Sequence, residues 1–380
     1  MKKYFLLLLI STNCFSYEWF QLTESGLSHR SVTVKGASKN KTKINFEDLD
    51  IVQKNDVDVA KQFPHLKDPQ KIILIGDTGC RLKENKKGTS GEYQDCDDKK
   101  AWPFEAIMKK IDTEKSDLII HLGDYHYREK CTHGPICEKI GDTGYGWLPW
   151  ELDFFKPTEE ILKHTPIIIV RGNHEDCERA HEGYRLMLSN EEWSNGCKLR
   201  EAPQIIELGD ITLVNLDSSS VDDKPDFSEA LEKEWVESLN QLNKKLDEKK
   251  RKNVWIISHK PIYGMAPFKK TYVPLNLNLR KFLEKSELIK KVQYVFSGHV
   301  HTSMIVKGDN FPMQIVLGDG GTKLTDMSLP INENMLKFFN YKSAEIVQGG
   351  FGYMMMTKKD KHWLMEFKDA EGRTVKALDI

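Results

Sequence analysis

Five short apolar runs in this chain of 380 residues end on side chains that favour cations. "KIILIGD" ends on Asp77, "DLIIHLGD" on Asp124, and "PIIIVRGNH" on Asn173 and His174. "NVWIISH" ends on His259, and "VQYVFSGHVH" on His299 and His301. Short runs of this kind read as buried strands. Segments with helical spacing lie between or around them: "FEAIMKKIDTEK", "LPWELDFFKPTEEILKH" (broken at Pro157), "SEALEKEWVESLNQLNKKLDEKK" and "LNLRKFLEKSELIKK". Strands alternating with helices give βαβ units and an α/β fold around a buried sheet. Ligand sites in open α/β sheets lie outside the carboxyl ends of the strands. The five tips are therefore expected to share one crevice, although they span more than half of the chain.

Outside this frame, "QIIELGDITLVNLD" reads as a hairpin. The segments "HTSMIVKGD", "MQIVLGDGG", "GYMMMTKKD", "HWLMEFKDAEG" and "TVKALDI" read as successive antiparallel strands, with Met354, Met355 and Met356 as strand core. The expected architecture is a sandwich of two mixed β-sheets flanked by helices. Residues 17–70 differ: they are polar and rich in Lys and Asp, with one alternating run, "SHRSVTVKG". They read as a small N-terminal β appendage or an extended arm, joined through "FPHLKDPQ" to a main domain over residues 71–380.

The opening "MKKYFLLLLISTNCFS" has the form of a secretory signal over residues 1–16, with lysines, then a short apolar stretch, then small residues placed for cleavage after Ser16. A lipidated Cys14 fits the preceding Ser11-Thr12-Asn13 poorly, and the bland alternative is a buried N-terminal strand. The apolar stretch is too short to span a bilayer, and no later segment is long and apolar enough to do so. Seven cysteines become six without Cys14, and an even count behind a signal argues for disulfides in an oxidising compartment. Proximity suggests Cys80 with Cys96, Cys131 with Cys137 and Cys177 with Cys197, though other connectivities are open. A secreted or periplasmic protein is expected. A formal net charge of -1 gives no electrostatic case for nucleic acid or an anionic membrane. The oligomeric state is left open.

Singly, each tip is a weak signal. A Gly-Asp after a strand is usually a turn, and a strand-end histidine is more often a hydrogen-bonded core residue. "GHVH" does place two imidazoles on one strand face. In this order the tips resemble the binuclear metallophosphoesterase (calcineurin-like phosphoesterase) superfamily over about Lys71 to Thr322. Its pattern is Asp-x-His, Gly-Asp, Gly-Asn-His-Asp/Glu, a lone His, then Gly-His-x-His. "IGDTGCRLK" and "RGNHEDC" look like a secreted bacterial branch. One departure matters: the histidine of the first motif is replaced here by Gly79. Purple acid phosphatases share that gap and fill it with a tyrosine three residues after the second aspartate, which is Tyr127 in this chain.

The resemblance implies a four-layer αββα catalytic domain over 71–380 and two metal ions, iron with a second divalent metal (Fe, Zn or Mn). One ion would take Asp77, Asp124, Tyr127 and His301, the other Asp124, Asn173, His259 and His299, with Asp124 bridging. The chemistry agrees. A carboxylate can hold two cations about 3.5–4 Å apart, a phenolate suits ferric iron, and imidazole suits zinc, iron and manganese. The implied reaction is attack on phosphorus by a hydroxide activated between the metals. His174 is then the catalytic residue, stabilising charge or protonating the leaving group. His174 and Asn173 would contact the substrate. His126 should point away from Tyr125 and Tyr127 on an extended segment, which gives it a solvent-side or substrate-side place, and His121 reads as core or a support for the ligands. Long loops follow the first three tips, and Trp147, Trp150, Tyr145, Tyr184 and Trp193 are candidate walls or core. The leading function is a secreted, acid phosphatase-like hydrolase of small-molecule phosphomonoesters. The alternative is a phosphodiesterase acting on a cyclic nucleotide, a glycerophosphodiester or a nucleotide sugar. A non-catalytic binding module is disfavoured by the complete set of candidate ligands.

Overall fold

Each of the five apolar runs forms a strand: Lys71–Ile75, Leu118–His121, Ile167–Ile169, Val254–Ser258 and Val292–Ser297. The computed structural model describes residues 16–35, 44–85, 90–140, 142–193, 196–221, 228–251, 253–347, 349–360 and 362–380. Of the expected signal over residues 1–16, all but Ser16, Cys14 included, lies outside the described residues. The first three runs are parallel neighbours in a nine-stranded sheet, and the last two are parallel neighbours in a seven-stranded sheet. Both sheets also contain antiparallel pairs, so both are mixed.

Four layers follow from where the apolar side chains go. Between the sheets, Leu74, Ile120 and Ile168 of the larger sheet share one core with Ile257, Phe296 and Ile315 of the smaller. Trp255 and Trp363 meet across this layer with ring centroids 6.1 Å apart. The outer face of the larger sheet (Ile73, Ile119, Ile167) is covered by Phe104, Ile107 and Ile111 of the helix Phe104–Glu114 and by Ile161 of Lys156–Leu162. The outer face of the smaller sheet is covered by Trp235, Leu239, Leu242 and Leu246 of Glu229–Glu248 and by Phe282 of Leu277–Lys285. Strands apolar on both faces are what such a sandwich requires.

Two local expectations are revised. Pro157 does not break its helix. The chain runs from Trp147–Trp150 through a π-helical turn at Glu151–Phe155 into Lys156–Leu162, with Pro157 in the first turn of the last piece. There its missing N–H costs little, and the widened turn before it absorbs the mismatch. The C-terminal segments are strands, but not one antiparallel series. Ser303–Lys307 and Met313–Leu317 pair in the smaller sheet, where the latter also runs parallel to Val292–Ser297. The helix Glu333–Phe339 and the strand Ser343–Val347 follow. The chain then crosses to the larger sheet, where Gly352–Lys359 pairs antiparallel with Lys71–Ile75 and so closes an otherwise open strand edge. In that strand Met354 and Met356 face the inter-sheet core and Met355 the outer core, as the period of two requires.

The N-terminal strands also belong to the larger sheet. Ser16–Thr23 adjoins Ile167–Ile169 in parallel, and Gly26–Val34 and Leu49–Lys54 continue the sheet to its edge. Tyr17, Trp19, Val32 and Val34 enter the outer core. The Tyr17 hydroxyl donates to Glu151 Oε1 at 2.7 Å, tying this strand to the π-turn. Trp19, 1% exposed, packs against Phe155 at 5.3 Å between centroids. Trp19→Ala is therefore expected to destabilise the whole domain by about 3–5 kcal/mol, in a single cooperative transition followed by circular dichroism in denaturant. A separate early transition, with the main one unmoved, would instead mark an independent appendage.

Candidate metal centre

The tips are shaped by three residues in the left-handed region, Asp77 (φ 56°), Asp124 (φ 58°) and His299 (φ 72°). Non-glycine residues rarely accept this conformation, and it clusters where side chains are aimed at a site. Each is held in place. Asp77 N–H donates to Gly123 O (3.0 Å), His299 N–H to Asp77 Oδ2 (2.7 Å), and Asp124 N–H to Glu175 Oε2 (3.0 Å). The motif glycines have a steric reason. A Cβ on Gly172 would lie 2.1 Å from Asp124 Oδ1, and one on Gly298 would lie 2.3 Å from Asp77 Oδ2.

All seven sequence-predicted ligands are brought together, in two groups that share Asp124. Tyr127 Oη lies 2.9 Å from Asp77 Oδ1, 2.7 Å from Asp124 Oδ2 and 3.0 Å from His301 Nε2. His259 Nε2 lies 3.0 Å from Asn173 Oδ1, 3.2 Å from Asp124 Oδ2 and 3.3 Å from His299 Nδ1. The backbone fixes two of the tautomers: His259 Nδ1 faces Leu122 O at 2.8 Å, and His301 Nδ1 faces Lys323 O at 2.8 Å. With Nδ1 so engaged, each ring in its neutral form presents a lone pair at Nε2 to the crevice. One phenol proton cannot serve two carboxylates and an imidazole, and the Nε2 of His259 faces oxygen and nitrogen atoms that are themselves acceptors. The donor set is therefore short of positive charge, and two cations fit it.

The electrostatics say the same. Burial and the like charge of Asp124 hold Asp77 well above the usual carboxylate range, against the pull of His259. Asp124 resists its own burial and stays well below that range because His259 and His174 lie beside it. Against burial, Asp124 pushes His259 up to about 9. Two buried carboxylates this close cannot both ionise without a cation between or beside them.

Gly79 has a role of its own. A Cβ there would sit 2.7 Å from both Tyr125 O and Tyr127 N, and 2.9 Å from Asp153 Oδ2. The absence of a histidine and the presence of Tyr127 are thus one packing solution: the tyrosine's backbone occupies the room. Asp153, on the π-turn, accepts from Tyr127 N (2.8 Å), Arg128 N (3.1 Å), Cys80 N (3.2 Å) and Arg128 Nε (2.7 Å). Glu175 does similar work for the neighbouring turn, accepting from the N–H groups of Asp124, Tyr125, His126 and Gly172 at 2.9–3.2 Å. Neither carboxylate was singled out from the sequence. Glu175 sits inside the quoted "GNHE", so the motif itself carried that signal.

His174 is buried, with its N–H on Asp124 Oδ1 (2.9 Å) and its ring 4.0 Å from that of Tyr127 between centroids. Its Nδ1 lies 2.9 Å from Glu129 Oε1 and its Nε2 3.9 Å from Asp124 Oδ2. Glu129 is a further residue that the sequence reading missed. Tyr125 faces the core, with its hydroxyl on Val170 O at 2.8 Å. His121 stacks on it and meets Thr78 Oγ1 at 2.9 Å, as expected of a supporting residue. His126 does not reach solvent: it is 0% exposed, packed near Trp150 and Tyr145, because the Glu175-bound turn curls this segment inward. Trp147, Trp150 and Tyr184 are core rather than walls, and Trp193 lies nearly buried with the Arg171 guanidinium 4.7 Å from its ring centroid. Among those five aromatics, Tyr145 alone is exposed. The loops around the tips are closed by Cys80–Cys96, Cys131–Cys137 and Cys177–Cys197, the pairing proximity suggested.

Among solved structures, a purple acid phosphatase, PPD1, from yellow lupin (Lupinus luteus) seeds is similar over 93% of this chain, with a TM-score of 0.54 and 16% identity. This chain spans 59% of the lupin protein's length. GAP50, the anchor in the inner membrane complex of Plasmodium, is similar over 83% of this chain and 89% of its own, with a TM-score of 0.50 and 15% identity. At such identities the likeness is one of fold. No curated protein sequence matches significantly. A family model described as calcineurin-like phosphoesterase matches residues 70–303, which include every candidate ligand, and the chain belongs to that family.

Proposed function

We propose that this member of a phosphoester-hydrolase family is a secreted phosphatase that removes phosphate from small-molecule monoesters at a centre of iron and a second divalent metal. The observation that carries this reading is the convergence of acceptor atoms from Asp77, Asp124, Tyr127, Asn173, His259, His299 and His301 in one crevice. One cation would be held by Asp77, Asp124, Tyr127 and His301, the other by Asp124, Asn173, His259 and His299. When bound, such a pair supplies Lewis acidity for the phosphoryl group and makes water acidic enough to serve as a nucleophile. Tyr127 favours a trivalent partner: burial and two carboxylates hold its phenol well above its ordinary range, so only a strongly polarising ion would ionise it. Three disulfides support an oxidising compartment. Among the described residues no helix is long and apolar enough to cross a membrane.

The chain's own residues account for the proton. With Nδ1 directed at Glu129, His174 keeps Nε2 towards the crevice. A proton held there is placed to pass to the leaving alkoxide, or to offset charge on the phosphoryl oxygens. Asn173 turns its Oδ1 to His259, which leaves its amide nitrogen to meet a phosphoryl oxygen without adding negative charge. The likeness to GAP50, named as an anchor, keeps a non-catalytic role as the rival. A complete donor set speaks against it.

With iron and zinc supplied, 4-nitrophenyl phosphate should be hydrolysed faster than bis(4-nitrophenyl) phosphate; the reverse order would favour the diesterase. His174→Ala should lower kcat on the monoester by about 10²-fold or more with metal content unchanged, and unaltered turnover would remove His174 from the chemistry. Iron-loaded protein should absorb visible light through Tyr127, and Tyr127→Phe should bleach that band and shift the metal ratio found by elemental analysis. A colourless enzyme of full activity with zinc or manganese would exclude the tyrosinate–iron centre.

A further inference from the structure

A group of cations beside the centre has no part in the reaction above. Arg81 and Lys83 flank Leu82, which is 0% exposed, so the two basic side chains share the opposite face of a short strand. That strand is fixed against the tyrosine: Leu82 N–H donates to Tyr127 O at 3.0 Å, and Lys130 N–H to Leu82 O at 2.9 Å. Gln94 Oε1 accepts from Arg81 N at 2.7 Å within the loop closed by Cys80–Cys96. The Arg81 guanidinium carbon lies 5.2 Å from the Tyr127 ring centroid. From the turn after His174 comes Arg179, anchored by Arg179 N–H to Asp176 O (3.1 Å) and by Ala180 N–H to His174 O (3.0 Å). Its Nε is 3.8 Å from Glu129 Oε1, and its Nη1 is buried with no hydrogen-bond partner among the described residues.

The fold does not use this charge up. Glu129 Oε1 lies nearer to His174 Nδ1 (2.9 Å) than to Arg179 Nε (3.8 Å), and Glu92, which meets Arg81 Nε and Nη2 at 3.1 Å, is exposed to solvent. Burial and the two arginines lower the Lys83 pKa, as a site with surplus positive charge would. A buried N–H without an acceptor is costly unless a ligand supplies one.

We infer that Arg81, Lys83 and Arg179 form a second anion station beside the metal centre, so that the preferred substrates carry a second phosphate-like group near the scissile one. This rests on the phosphomonoesterase reading of the centre and narrows it to bisphosphorylated or diphosphorylated compounds. Fixed guanidinium forks suit such oxygens, and a lysine adds a mobile point charge.

Calorimetric titration of the metal-loaded full chain with methylphosphonate and with propane-1,3-diyl bisphosphonate, neither hydrolysable, tests the station. The bisphosphonate should bind at least about tenfold more tightly, with a preference that shrinks as salt rises. Arg81→Gln, Lys83→Gln and Arg179→Gln should each reduce that ratio, the triple variant should bring it close to one, and Lys83→Arg should retain it. Equal affinity in the unaltered protein overturns the station while leaving the metal centre standing. A preference that survives in the triple variant also overturns it, because chelation by the metals would then be the cause. If neither phosphonate binds, the station and the phosphomonoesterase reading fall together.

Discussion

The structure is organised around a shortage of positive charge in a buried place. Tyr127, Asp77, Asp124 and His301 meet as one group, and Asp124, Asn173, His259 and His299 as another, with acceptor atoms facing acceptor atoms. No packing of apolar residues would assemble such a cluster, since each carboxylate brought in raises the cost of the next. The surrounding scaffold has to hold these groups at close range against their mutual repulsion. Three left-handed backbone turns and a set of glycines with no room for a Cβ do so, and parallel strands buried on both faces give those turns a rigid base.

Two buried carboxylates transmit that rigidity. Glu175 binds four successive or nearby N–H groups around Asp124, and Asp153 binds three N–H groups and the Arg128 side chain around Tyr127. Both act as miniature substitutes for secondary structure, satisfying backbone donors that a tight turn leaves exposed to a low-dielectric interior. Asp153 can reach Tyr127 because the helix that carries it is widened into a π-turn, a feature common at functional positions.

What could be read from the sequence was what is local or periodic. Apolar runs ending on cation-binding residues announce strands and their tips, and cysteines 6 to 20 residues apart announce their own loops. The alternation in Met354–Met356 is likewise a period-two signal. The less legible parts depend on distant partners. Nothing in the polar composition near the N-terminus tells that Ser16–Thr23 will lie beside Ile167–Ile169. Nothing in the tail tells that three of its strands will cross to the other sheet. His126 is less legible for a related reason: an extended segment would turn the ring outward, whereas three N–H bonds from Asp124, Tyr125 and His126 to Glu175 bend the segment and bury the ring. Asp153 gave no signal because a carboxylate in a helical stretch reads as surface until its partners, far along the chain, are known.

The pairing of strands far apart in the sequence has a temporal meaning. The strand that carries Asp77 is bordered on one side by Gly352–Lys359, so the central sheet waits for the tail before that edge is closed. Pairings between segments so far apart in the sequence are slow to find, since loop closure must precede any gain from them. Ions that recognise the finished cluster and not the open chain would therefore act late, as a latch on a completed search. In a protein built this way the donor cluster is complete only once the sheet is whole.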